Sequence, residues 1–265
     1  MVNIASTILM NHTAMRYSLL VFLLLGLFTL SASAQPESLL NRADSLFSNY
    51  QEKAALEAYN KVLQEDSDNL EALWRTSLLY SRIGNQLNSE DQKTEYYNLA
   101  KQRAEQALQE DSTNSQANFV MSVAMGRMAL IVGARERVAA SRDIKKYAER
   151  ALRADSTNAG AWHVLGRWNM EISDLNFAER LAANVLFGGI PEGASNENAV
   201  EYIQRAIELN PNFALYYYDL AKAYEALGQE QQAIETCKEG LAQPTLAPGD
   251  DEVKQDCRDL IDDLQ

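Results

Sequence analysis

The chain has 265 residues, 46% of them hydrophobic, with 12 glycines and five prolines, a composition that favours helices and supplies a sizeable core. Its formal charge of −13 gives an average field that repels phosphates. This argues against nucleic acid and anionic membrane surfaces as bulk partners, while leaving room for a local basic patch.

The first 34 residues form a separate segment. Arg16 is the only charge among them, and Ser18–Leu30 is an apolar run of about 13 residues, short of the ~20 that a membrane span needs. Ala32-Ser33-Ala34 follows, and polar sequence starts at Gln35-Pro36. A basic start, a short apolar stretch and a small-residue site make a secretory signal peptide. The alternative is an uncleaved N-terminal anchor. Met15, directly before Arg16, is a second candidate start. The 24 Lys and Arg less Arg16 leave 23 against 37 acids, so the mature charge is −14 and no transmembrane span remains. The expected location is periplasmic or secreted.

From residue 35 the chain is periodic. Asp66-Ser67-Asp68-Asn69, Asp111-Ser112-Thr113-Asn114, Asp155-Ser156-Thr157-Asn158 and Asn210-Pro211-Asn212 each follow an apolar helical stretch and read as turns between units. The first unit spans residues 36–69, with Ala43 in its first helix and Ala55, Tyr59 and Val62 in its second. The second spans 70–114, with Leu73, Ser77, Tyr80 and Gly84, then Ala100, Ala104 and Ala107. Its connection is about 11 residues longer than the repeat standard. Ser89 with Gln92 reads as a capping box opening a long second helix.

The third unit spans 115–158, with Ser122, Met125, Ala148 and Ala151. The fourth, 159–213, begins with Trp162, Leu165 and Gly166. It carries an insertion at 174–193 that reads as helical to Phe187 and then breaks at Gly188-Gly189-Ile190-Pro191. In the fifth, Tyr217, Leu220, Ala221 and Tyr224 form one helical face, Gly228 stops the helix, and Ala233, Cys237 and Gly240 mark the next. Val253, Cys257, Leu260, Ile261 and Leu264 then give an amphipathic helix with an acidic outer face.

A helix–turn–helix unit of about 34 residues resembles the tetratricopeptide repeat, which needs neighbours to bury its faces. The expected fold is all-α. It is a tetratricopeptide-like α-solenoid of five helix pairs over residues 35–248, with an inserted helix and a C-terminal capping helix over 249–265. Residues 117–242 resemble more narrowly the regulator of microtubule dynamics family. That resemblance rests on VAASRDIKKYAERAL in the long third unit, AWHVLGRW at 161–168, and ERLAANVLFGGIPEGASNENAVEYIQRAIELNPNF at 179–213. It implies a solenoid with lengthened helices. Some eukaryotic members associate with microtubules, and some sit at organelle contacts and bind phospholipid.

The first helix of each unit is expected to line a concave wall. In this register the wall includes Trp74, Leu78 and Arg82; Phe119, Val123 and Arg127; His163, Arg167 and Met170; and Tyr218, Lys222 and Glu225. One reading is a groove for an acidic or amphipathic protein or peptide. The other is that the aromatics are core and the cations solvated. The carboxylate clamp of some tetratricopeptide proteins is unsupported, because Val164 and Asp219 stand where clamp residues are expected.

His163, the sole histidine after the signal, has no Ser, Cys or second His at a catalytic spacing, and two distant cysteines do not make a zinc site. No cofactor, metal or enzymatic activity is expected. Cys237 and Cys257 read either as a disulfide stapling the cap to the last repeat or as two buried thiols. The favoured function is an exported scaffold binding a protein partner; the alternative is a carrier of phospholipid or another apolar ligand. The first prediction concerns processing. Intact mass of the exported protein is expected to give Gln35 as its N-terminus, and a mass retaining residues 15–34 restores the anchor.

Overall fold

The computed structural model describes residues 38–265, so the expected signal segment lies outside the described residues. Among these the chain forms helices and no strand. The helix pairs are α1 (Leu39–Ser48) with α2 (Glu52–Glu65), α3 (Leu70–Asn85) with α4 (Glu90–Glu110), and α5 (Ser115–Ala129) with α6 (Ala134–Ala154). The series continues with α7 (Ala159–Ser173), an inserted α8 (Phe177–Leu186) and α9 (Asn196–Leu209). It ends with α10 (Ala214–Ala226) paired to α11 (Glu230–Ala242), and the cap α12 (Asp250–Asp263). None of these helices is long and apolar enough to cross a membrane.

Three of the four inter-unit turns start the next unit by one device. Asn69, Asn114 and Asn158 are N-caps whose side chains accept from the amides of Ala72, Ala117 and Ala161. In two of the turns the preceding acid, Asp111 or Asp155, accepts from the backbone amide and hydroxyl of the intervening threonine. Those bonds hold both carboxyls below the usual carboxylate range. The turn residues thus fix where α3, α5 and α7 begin, and with them the phase of their wall positions, whereas α10 starts after Phe213 without a side-chain cap.

Two local expectations change. The extra length of the second unit is not in its connection, since only Gln86–Ser89 separates α3 from α4. It is taken up by α4 itself, 21 residues long, and α6 has the same length. Ser89 caps α4 through the Gln92 amide at 3.5 Å, but the reciprocal bond of a capping box is made at Asn176 and Glu179, opening α8. The insertion then breaks where expected, with Gly188 and Gly189 at φ +80° and +84°. Arg142 of α6 holds that break by donating to the carbonyls of Phe187, Gly188 and Gly189 at 3.3, 3.0 and 2.8 Å.

The packing positions read from the repeat pattern are fully buried: Ala43, Ala100, Ala221 and Ala233 are each 0% exposed. Gly166 of α7 faces Ile203 of α9, and a Cβ there would lie 2.4 Å from the Ile203 Cγ1 and 3.3 Å from the Ala199 carbonyl oxygen. The cap α12 docks as expected, with Cys257 and Leu260 against Ala221, Ala233 and Cys237. The structure carries Cys237 and Cys257 as free, buried thiols and not as a disulfide. A hydrogen bond to Cys237, with burial added, pushes the Cys257 thiol up. A Gly166→Leu variant is expected to lose about 1–3 kcal/mol in denaturant unfolding, the cost of overpacking. Wild-type stability would show that α7 and α9 are not in this register.

Candidate functional site

The first helices α3, α5, α7 and α10 stand side by side. Counted from their caps, Trp74, Phe119 and His163 occupy equivalent positions. The apolar part of the expected wall is mostly core. Trp74 meets Phe47 edge-on, their ring centres 6.4 Å apart. Phe119 lies over Gly160 of α7, where a Cβ would come within 2.5 Å of its ring. His163 is buried, with Nε2 2.6 Å from Asp219 Oδ2 and its ring 4.5 Å from Tyr216.

The cations form a row across three units. Arg82 is 3.6 Å from Glu52 and lies between two rings, 5.8 Å from Phe47 and 5.9 Å from Phe213. Arg167 is 3.9 Å from Asp219 and 3.4 Å from Glu171. Arg127 stands between them in the series of units. Its Nη1 donates to Asn85 Oδ1 at 2.7 Å, and its Nε is buried without a hydrogen-bond partner. Burial, joined by the charges of Arg167 and Arg82, holds Arg127 below the usual guanidinium value, although it remains charged at neutral pH.

The flanking acids respond in opposite ways. Burial raises Glu52, and Arg82 only partly offsets it. Asp219 is also buried, which alone would raise it, but Arg167 and the His163 hydrogen bond overcome burial and hold it below the usual carboxylate range. The two outer arginines therefore each have an acid, while the central one has an amide and a buried donor without a partner.

Tyr218 and Lys222 do not join this row. Tyr218 packs with the cap cluster of Cys257 and Leu260, and Lys222 pairs with Glu225 on the side facing Asp263. The cap covers the phase of α10 that the repeat pattern assigned to the wall. What α10 presents instead is Tyr216 and Asp219. Burial raises the Tyr216 hydroxyl to about 12.

At the other end, Phe47, Tyr50, Arg75, Arg82, Asn210, Phe213 and Tyr216 enclose a pocket of about 270 Å³, so the first pair reaches the turn before α10. Glu52, Asn85 and Tyr216 were missed by the sequence reading, and Asp219 was read only as a departure from the clamp pattern. The available signal for Asp219 was an acid between apolar neighbours in YYYDLAKAY.

A family model for regulator of microtubule dynamics protein 1-3 matches residues 39–265. Regulator of microtubule dynamics protein 2 of Mus musculus is 26% identical over 231 residues, covering 86% of this chain and 56% of the relative. Protein 3 of Bos taurus is 28% identical over 192 residues, covering 71% and 40% respectively. The chain thus spans about half the length of the curated relatives it matches. Among solved structures, a tetratricopeptide protein of Thermus thermophilus aligns with a TM-score of 0.61 at 16% identity, covering 84% of this chain and 97% of that one. One from Parabacteroides merdae gives 0.53 at 14%, covering 85% and 73%. These likenesses show the fold, a tetratricopeptide-type helical solenoid. With a family match that runs from the first described helix to the last residue, the chain belongs to the regulator of microtubule dynamics family.

Proposed function

We propose that this protein is an exported scaffold whose concave wall grips an acidic segment of a protein partner, with Arg127 as the central contact. The observation that carries the reading is the buried, unpartnered Nε of Arg127, set in a row with Arg82 and Arg167. A carboxylate placed there accepts from a donor already desolvated, in the two-bond geometry that guanidinium favours. The row works against the net acidity of the chain, which supports selection of anionic groups at this one place.

Export rests on the N-terminal signal pattern. In this reading it separates the chain from tubulin, so the microtubule role in the relatives' name is not carried over. Export also bears on the cysteines: thiols already in hydrogen-bonding contact would close to a disulfide in an oxidising compartment.

Two tests follow. In a screen of acidic peptides against the purified protein, Arg127→Ala is expected to weaken the selected binder about tenfold or more and to reduce its salt dependence. Lys222→Ala should leave binding unchanged. Equal binding by Arg127→Ala and wild type removes the wall as the site. In the second test, exported protein unfolded without reductant should show no titrating thiol. The closed loop of about 20 residues should add on the order of 3 kcal/mol. Two titrating thiols would show the pair stays reduced.

A further inference from the structure

The pocket of about 270 Å³ between the first pair and the turn before α10 is lined by four aromatic residues, Phe47, Tyr50, Phe213 and Tyr216. Its charged lining is Arg75 and Arg82, with no acid. Tyr50 follows α1 at φ +55°, its amide bonded to the Phe47 carbonyl and the next amide, of Gln51, to the Leu46 carbonyl. This is the helix stop at which glycine is usual, because a bulky side chain strains the left-handed conformation. Here the stop carries an aromatic side chain into the pocket lining. Strained positions of this kind collect at ligand clamps.

Two polar groups of the lining are uncommitted. The Tyr216 hydroxyl has no hydrogen-bond partner among the described residues, although Tyr216 is only 5% exposed. Burial raises this hydroxyl and the Arg82 charge opposes the rise, so the guanidinium is felt there. Arg82 meets Glu52 at 3.6 Å, beyond hydrogen-bond distance. Gln86 donates to Glu52 at 3.1 Å, so that acid keeps a partner when Arg82 turns to a ligand. Arg75, in contrast, is engaged. It donates to Glu71 at 2.9 and 3.2 Å and lies 4.4 Å from the ring centres of both Phe47 and Trp74.

We infer that this pocket binds a small aromatic monocarboxylate, its ring held among Phe47, Tyr50 and Phe213 and its carboxylate taken by Arg82 and the Tyr216 hydroxyl. Clustered rings favour an aromatic guest, which can pack against them edge-on or offset. One available guanidinium matches one negative charge, and its planar fork suits a carboxylate. A phosphate monoester carries nearly two charges at neutral pH and would leave one unmatched. The volume lies just below the range of about 300–1,000 Å³ found for drug-sized ligands, which limits the occupant to a single ring with a short acid arm. Arg127 does not line this pocket, so the inference does not rest on the acidic-segment reading of the wall.

The test is isothermal titration of the purified full chain with phenylacetate, its uncharged methyl ester, and hexanoate, which keeps the charge and lacks the ring. Phenylacetate is expected to bind. The ester and hexanoate should each bind about tenfold more weakly or not at all. Tyr216→Phe, which removes only the hydroxyl, should weaken phenylacetate about tenfold. A second measurement needs no loss of binding. With Phe213 replaced by 4-fluorophenylalanine, the fluorine resonance should shift as phenylacetate is added and stay in place with hexanoate. Failure of phenylacetate to bind wild type, equal binding of acid and ester, or a fluorine resonance that does not move overturns the proposal. So does a Tyr216→Phe variant that binds the acid as wild type does. The probe is not a peptide and Arg127 lies outside the pocket, so none of these outcomes decides whether the wall grips an acidic segment.

Discussion

Helix backbones in this array meet at alanine and glycine, and the other features depend on that closeness. Ala100, Ala104 and Ala107 of α4 are fully buried, as are Ala148 and Ala151 of α6. With so little side chain between them, paired helices approach until carbonyls of one helix can bond side chains of the next. Ser77 donates to the Ala100 carbonyl at 2.8 Å, and Ser115 to the Ala151 carbonyl at 3.0 Å. Dense interiors of this kind transmit small volume changes. Gly166 is the extreme case, because Ile203 occupies the space its side chain would need.

That closeness also governs the electrostatics of the wall. Because the first helices are near neighbours, arginines on three of them fall within one another's field, and burial strips away much of the water that would screen them. The assembly tolerates this by supplying an acid at each end. Glu52 is raised by burial despite Arg82, whereas Asp219 is held low by Arg167 and His163. The contrast is one of number: Asp219 has two strong partners and Glu52 has one arginine and an amide, Gln86. Arg127 in the middle has no carboxylate in salt-bridge contact, and its neighbours Arg82 and Arg167 add to burial in holding it below the usual guanidinium value.

The repeats were legible because their signals are local. Asn caps, small packing residues and the Gly188-Gly189 break each act within a few residues, and each stands where the pattern put it. The row of arginines could also be read, since Arg82 and Arg127 stand at the same distance from their caps. What could not be read was anything that needs a partner far away in sequence. Tyr218 and Lys222 have the repeat phase of wall residues, but α12 lies over them. Phe119 looked like a contact residue and instead fills the space left by Gly160. Asp219, which looked like an argument against a clamp, is the counter-ion of the wall. The long second helix α4 was read from Ser89, but the extra length of its unit was assigned to the connection before it, because the polar stretch of α4 has little apolar periodicity to mark its extent.

The corner between Phe47 and Phe213 has a consequence for how the array comes apart. A repeat protein whose ends are free can fray one unit at a time, each unit answering only to its neighbour. Here the guanidinium of Arg82 lies near a ring from the first unit and a ring from the turn before the fifth. That clasp joins residues distant in sequence, so the first pair cannot peel away without also loosening the far turn. Such long-range closure makes opening more cooperative and folding slower than in a linear stack of the same helices. It also sets a toll on entry: a partner segment that threads the concave side must either fit beneath the clasp or undo it.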